Sequence, residues 1–330
     1  MDRNSLCIAR PPVGGQLSTG CPVLQIPRPP LRLLFLLLCA LCVVTLATAD
    51  AQTKFEYTYG DHIDKGHATI ECTSCDPAGF ISVGRTRVVD IDEGDTTVHD
   101  DVYIVRTDGN GARVWEYRYD MMGNRFNDTG YSIRQIGSDT SFVVTGSANT
   151  GSGPNVFLMK IGCSGAVEWS KVYTVGILSI GYDVVVAQQG GAAGTAAGDF
   201  LVCGWTEVGA TLGGINGFVF RTTSAGAKIW STSISIGAAA TGPATSEEWL
   251  NALTECQIGG GASNIGDVVA VGVASAPLAA LGQQAMALRM NGVNGRITGT
   301  NRGVVYYGAQ YKEEFQGVRE LTVGAEAGRL

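Results

Sequence analysis

Histidine is scarce in this chain: of 330 residues only His62, His67 and His99 are imidazoles, all in the first third. There is no G-x-S-x-G sequence either. Together these absences leave no pattern for a serine or cysteine nucleophile activated by histidine. Charged residues make up 16% of the chain, low for a soluble helical protein and ordinary for a strand-rich one. Outside residues 33–49 no stretch carries a helical hydrophobic period of useful length. Basic residues are the minority charge. Taking Arg3, Arg10, Arg28, Arg32 and Asp2, which precede Asp50, from the totals of 23 Lys+Arg and 30 Asp+Glu leaves 19 against 29. A charge near −10 on residues 50–330 disfavours nucleic acid and anionic membrane surfaces as partners.

Glycine, by contrast, is abundant: its 46 residues are about twice the average share, which suits many tight turns. Three windows stack without a gap: DVYIVRTDGNGARVWEYRY (Asp101–Tyr119), NVFLMKIGCSGAVEWSKVY (Asn155–Tyr173) and NGFVFRTTSAGAKIWSTSI (Asn216–Ile234). Each joins an apolar alternating run, a basic residue (Arg106, Lys160, Arg221), a turn glycine and a tryptophan four residues later. The glycine–tryptophan pairs are Gly111/Trp115, Gly165/Trp169 and Gly226/Trp230. A second set interleaves with the first, with glycine at its sixth position: Gly84, Gly146, Gly204 and Gly272. A third element, headed by His67, Tyr131, Tyr182 or Trp249, precedes each of these. Self-similarity at roughly 50–70 residues predicts radially repeated β-structure. The expected fold is all-β, a β-propeller of four-stranded antiparallel blades over about 61–119, 120–174, 175–235 and 236–308. A lone blade leaves both faces wet, so neighbours have to supply the rest of each core. The fourth repeat is degenerate, with Gly299 where tryptophan falls in the others. Phe55–Gly60 resembles a tryptophan strand with Phe55 in the tryptophan place, and Glu313–Gly324 resembles an aromatic-headed strand with Phe315 as its head. A fifth blade is thus expected to take strands from both ends of the chain, with 309–330 as its start. Its two middle strands are missing before Leu330, so a truncated chain is the expectation, ahead of an open ring or irregular closure.

Leu33–Ala49 is a separate object: uncharged, preceded by Arg28 and Arg32 and ending Ala47-Thr48-Ala49. A basic flank, an apolar centre and a small-residue exit are the marks of a secretory signal. The run is also near the ~18–20 residues that span a bilayer, so a signal anchor is the competing reading. Residues 1–32 are a polar, proline-rich leader. Both readings place residues 50–330 outside the cytoplasm, with the membrane touched only through the apolar segment.

The order D-x-Y-I-V-R-T-D-G-N-G-x-x-x-W, then G-Y-S-I-x-Q, then F-V-V-T-G-S resembles the repeats of secreted bacterial-type β-propeller proteins. The similarity covers about Phe55–Gly324 and is best over Asp101–Ala148 with Asn155–Trp169. It departs where Asp108 becomes Gly162 and Thr223. Members of that family are mostly of unknown role, so the resemblance implies fold and export and no activity.

Local constellations are few. His62, His67, Cys72 and Cys75 lie at short spacing, and two imidazoles with two thiolates can hold Zn²⁺ tetrahedrally. Against this, His67 and Cys72 are five apart and point to opposite faces of a strand. The other repeats place an aromatic at His67, and an oxidising compartment favours a local Cys72–Cys75 disulfide. Asp90, Asp92 and Asp95 can offer oxygens to Ca²⁺, with a solvated loop as the competing reading. No other cofactor is implied. Asn127-Asp128-Thr129 is a glycosylation acceptor in an inter-blade loop. Five cysteines follow the apolar run (Cys72, Cys75, Cys163, Cys203, Cys256), an odd number. Cys163 is expected to be exposed in a hairpin turn and Cys203 to be a small core residue. The leading functional expectation is a scaffold binding a protein or glycan ligand, since loop lengths vary at Arg87–Asp100 and Thr206–Asn216. The alternatives are a carbohydrate-active enzyme with carboxylates at the channel and a purely structural repeat. Glu247/Glu248 and Glu313/Glu314 are adjacent pairs that face opposite sides of a strand and form no site by themselves.

Overall fold

The computed structural model describes residues 58–60, 63–92, 95–123, 125–137, 139–190, 193–209, 214–235, 247–258, 265–275, 283–297, 304–307 and 313–320. The chain divides into residues Met1–Lys54 and Phe55–Leu330, and every described residue belongs to the second unit. The apolar run at 33–49, Phe55, His62 and Gly299 lie outside the described residues. Among the described residues no helix is long and apolar enough to cross a membrane.

The described secondary structure is sixteen strands in four antiparallel sheets, each built from four strands in chain order. The first sheet holds β1 (Asp64–Cys72), β2 (Gly79–Asp92), β3 (Asp95–Asp108) and β4 (Arg113–Tyr119). The second holds β5 (Thr129–Gln135), β6 (Ser141–Asn149), β7 (Pro154–Gly162) and β8 (Val167–Tyr173). The third holds β9 (Leu178–Val186), β10 (Phe200–Glu207), β11 (Ile215–Thr222) and β12 (Lys228–Ile234). The fourth holds β13 (Glu248–Glu255), β14 (Asp267–Ser275), β15 (Gln283–Asn291) and β16 (Val304–Tyr307). The first strands touch in sequence: β1 on β5, β5 on β9, β9 on β13.

Alternation along the central strands explains the stacking. In β6, Phe142 and Val144 enter a core with Ile81, Val83, Val102 and Ile104 of the first sheet. Val143, between them, enters a core with Val184, Phe200 and Val202 of the third. A further core joins Leu201, Cys203 and Val219 to Leu250, Val268 and Met286 of the fourth. Successive side chains of a strand point to opposite faces, so a central strand covered on both sides reads as a continuous apolar run. The last strand of a sheet mixes exposed and half-buried positions. Its tryptophan reaches the next sheet: Trp115 Nε1 donates to Cys163 O at 2.8 Å and Trp230 Nε1 to Gly292 O at 3.3 Å.

The junctions repeat. Tyr119 Oη donates to Gly165 O at 2.8 Å, Tyr173 Oη to Gly226 O at 2.8 Å, and Thr232 Oγ1 to Gly295 O at 2.8 Å. Tyr59 Oη makes the matching bond to Gly111 O at 2.5 Å. The C-terminal segment repeats the opposite side of a junction. Asp128 N, at the start of β5, donates to Asp100 O at 2.6 Å, and Glu313 N donates to Gln283 O at 3.1 Å. Glu255 of β13 accepts from Gln188 N at 2.5 Å, and Glu320 accepts from Gln257 N at 2.6 Å. Residues 313–320, which form no regular strand, thus repeat hydrogen bonds that a first strand makes to the preceding sheet.

Arg221 is the largest fully buried side chain, 1% exposed. Its Nε donates to Asp199 at 2.9 Å, Nη1 to Gly292 O at 2.9 Å, and Nη2 to Gln189 O and Ala196 O at 2.7 Å each. A buried guanidinium is tolerated only when its donors are met, and here they tie the third sheet to a turn of the fourth.

Two expectations change. The disulfide is Cys75–Cys163, with Cα atoms 5.7 Å apart, and Cys72 is a free, buried thiol. Cys72 ends β1 and packs into the core between the first two sheets, while Cys75 lies beyond the strand beside the β7–β8 turn that carries Cys163. The bridge is thus between sheets and not local, and Cys163 is not an exposed free thiol. Cys203 is buried in a core as expected. The acidic segment is also more regular than a loop: β2 and β3 continue as a two-stranded ribbon to the pair Asp92↔Asp95.

Candidate functional site

Each first strand carries a bulge at the same place. The register slips at His67 in β1, Tyr131 in β5, Tyr182 in β9 and Asn251 in β13. A bulge leaves one residue without a partner and re-aims its side chain, so the four bulges turn four side chains to the side where the first strands meet. The His67 and Tyr131 rings are 4.7 Å apart, and Tyr131 meets Tyr182 edge-on at 5.2 Å. Trp205 Nε1 donates to Tyr182 Oη at 3.1 Å. Trp249 is not the fourth head, because Leu250 replaces glycine opposite Gly272 and the extra residue falls on Asn251. By the same count Gln316, not Phe315, stands in the fifth place. Asn251 Nδ2 donates to Phe315 O at 2.8 Å.

Beside this row lies a cavity of about 480 Å³ whose lining includes Arg134, Asp183, Asn251, Gln316 and Arg319. Asp183 is buried and accepts from Ser132 Oγ at 2.8 Å, Arg134 Nη2 at 2.8 Å, Val184 N at 2.9 Å and Leu253 N at 3.2 Å. Burial pushes its carboxyl above the ordinary range, and Arg134 and Ser132 oppose that shift. Burial likewise raises the Tyr131 and Tyr182 phenols, so both remain neutral donors at physiological pH. Arg319 is exposed. The cavity wall offers two planar amides and two guanidinium groups, that of Arg134 already paired with Asp183, and the aromatic rings are not part of its lining. Asp183 is the one carboxylate among the described residues of that lining, whereas two, about 5–10 Å apart, are needed for glycoside hydrolysis.

The carboxylate pairs named from sequence lie elsewhere: Glu247 is exposed, Glu248 buried, and neither they nor Glu313 and Glu314 line this cavity. Of the two-His, two-Cys set, His62 lies outside the described residues. His67 sits in the aromatic row, its pKa lowered by burial and by Lys65 and Arg85, while the sulfurs of Cys72, Cys75 and Cys163 cluster together. Among the three aspartates considered for calcium, Asp90 and Asp92 face the Arg125 guanidinium at 3.4 Å each, and Asp95 is paired across the ribbon with Asp92. Asn127 is exposed between β4 and β5, its Oδ1 accepting from Asp100 N at 2.9 Å.

Sequence reading missed Arg134, Asp183, Asn251, Gln316 and Arg319. One signal was present: Ile133-Arg134-Gln135 and Val318-Arg319-Glu320 are the same motif in two first-strand positions. Comparison with known families finds no model that matches this chain, and comparison with curated proteins finds none similar to it.

Proposed function

We propose that the second unit is a β-propeller acting outside the cytoplasm as a binding scaffold, and that its ligand is an acidic glycan held on the axial face of the first strands. In this reading Tyr59 and residues 313–320 mark the outer and inner strands of a fifth blade. The observation that carries the ligand class is the row His67–Tyr131–Tyr182 beside a cavity with Arg134, Asn251, Gln316 and Arg319 at its wall. Sugar rings lie on aromatic faces, hydroxyls pair with amides, and a carboxylate pairs with guanidinium. Export is supported by the apolar segment behind Arg28 and Arg32 and by the Cys75–Cys163 bridge, since disulfides persist in oxidising compartments. The single carboxylate of the cavity, already held by four donors, favours binding over hydrolysis.

The test is calorimetric titration of the detergent-purified full chain with uronic-acid oligosaccharides and their neutral counterparts. The acidic series binds, and Arg319→Ala weakens it by roughly 10–150-fold, the loss of one charged hydrogen bond worth about 1.5–3 kcal/mol. Equal affinity for neutral and acidic sugars, or indifference to Arg319→Ala and Tyr131→Ala, sinks the proposal.

A further inference from the structure

The first sheet differs from the other three at one junction of β3 and β4. His99 and Asp101 are two residues apart on β3 and so project from one face. Tyr119 pairs with Val102, so Asp120 continues β4 to stand across from Asp101. The ligand atoms of the three side chains lie within 4.8 Å of one another, and His99 Nε2 is 3.3 Å from Asp101 Oδ1. His99 and Asp101 are 4% and 6% exposed. Neither His99 Nδ1 nor Asp101 Oδ1 has a hydrogen-bond partner among the described residues.

The chain's own repeats provide the comparison. Where the first sheet has Asp101, the others have Asn155, Asn216 and Gln284; where it has His99, they have Gly153, Gly214 and Gly282; where it has Asp120, the second and third have Thr174 and Ser235. A neutral residue satisfies the fold at each place. Three ionisable groups have collected at one of four equivalent junctions, two of them like charges directly across a sheet, a pairing that destabilises; Asp120 Oδ1 also accepts from Met122 N at 3.2 Å and Gly123 N at 2.7 Å.

We propose that His99, Asp101 and Asp120 bind a divalent transition-metal cation of the zinc class. An imidazole with two carboxylates suits Zn²⁺, whereas Ca²⁺ and Mg²⁺ prefer oxygen alone. Atoms bound tetrahedrally at ~2.0–2.2 Å stand about 3.4 Å apart, close to the separation of His99 Nε2 and Asp101 Oδ1. The two carboxylates neutralise the ion. A cavity of about 540 Å³, lined by Asp101 and Asp120 together with Thr86, Tyr103, Glu116 and Arg118, leaves the fourth position open to an outside ligand.

The experiment titrates the metal-stripped, detergent-purified full chain with zinc and, separately, calcium. One zinc binds per chain and calcium does not compete. Asp101→Asn and Asp120→Thr, which install the second repeat's residues, each weaken zinc at least about tenfold, while Cys72→Ser leaves it unchanged. Absence of zinc binding, unaltered affinity in Asp101→Asn, or loss in Cys72→Ser overturns the proposal. Should the aspartate variants misfold, the ¹⁵N resonances of the His99 imidazole in the unaltered chain decide. A shift on zinc addition supports the site, and unmoved resonances overturn it.

Discussion

Gly84 and Gly66 face each other across β1 and β2, yet the structure assigns them opposite sensitivities to a methyl group. A Cβ on Gly84 would lie 1.9 Å from Lys65 O and 2.9 Å from Gly66 Cα, whereas one on Gly66 meets nothing within 4 Å. The obstacle at Gly84 is backbone, held beside the His67 bulge, and no rotamer change removes it. Overpacking of a close-packed site costs about 1–3 kcal/mol, and an immovable carbonyl puts Gly84→Ala near the upper end, about 3 kcal/mol. At roughly 2–4 °C per kcal/mol for a domain of this size, the apparent Tm falls by about 6–12 °C. Gly66→Ala changes stability by less than about 0.5 kcal/mol, or raises it slightly by restricting the unfolded chain. Parallel thermal melts of the two variants and the parent measure the contrast. Equal shifts would refute the bulge geometry, because they would mean that the two glycines have similar surroundings.

Non-reducing peptide mapping recovers Cys75 linked to Cys163 across 88 residues; a Cys72–Cys75 peptide contradicts the fold. Cys163→Ser lowers stability by up to about 4.6 kcal/mol, the loop-closure entropy of a span this long, measured by chemical denaturation. Arg221→Met leaves Asp199 buried without its partner and costs about 3–5 kcal/mol; a change below about 1 kcal/mol shows that the pair is not buried as described. Asp128 has a folded pKa raised from 3.8 to about 6 by burial, opposed by its bonds to Asn149 N and Met121 N. Between those values the folded state holds the extra proton, so stability falls as pH rises from about 4 to 6. Asp128→Asn flattens that part of the Tm–pH curve, and an unchanged slope assigns it to another group.

The repeat was legible because its determinants are local. The apolar run in Ser141–Ala148, the turn at Gly165 and the tryptophan at Trp169 each act within a few residues of themselves. One contact of the N-terminal segment was legible for the same reason: Phe55–Gly60 copies Trp115–Asp120 in spacing, and the bond of Tyr59 to Gly111 O falls where that copy puts it, although residues 58–60 form no regular strand. The cavity beside the first strands was not legible. Its wall is assembled from β5, β9, β13 and residues 313–320, tens of residues apart, and only the meeting of first strands brings Arg134, Asp183, Asn251 and Arg319 together. Cysteine pairing failed likewise, since proximity in sequence favoured Cys72 while sheet stacking delivers Cys163. Trp249 was misplaced by two residues because Leu250 stands where the other repeats have glycine, and a bulge shifts register without leaving a mark in the hydrophobic pattern.

The central claim is that first strands stand side by side in chain order and turn their bulge residues to a common face. Nuclear Overhauser contacts in a chain labelled selectively at histidine and tyrosine test it most directly. Cross-peaks between His67 and Tyr131 and between Tyr131 and Tyr182 are the predicted result. Their joint absence, with Tyr119 and Tyr173 contacts intact, would contradict the arrangement of the sheets.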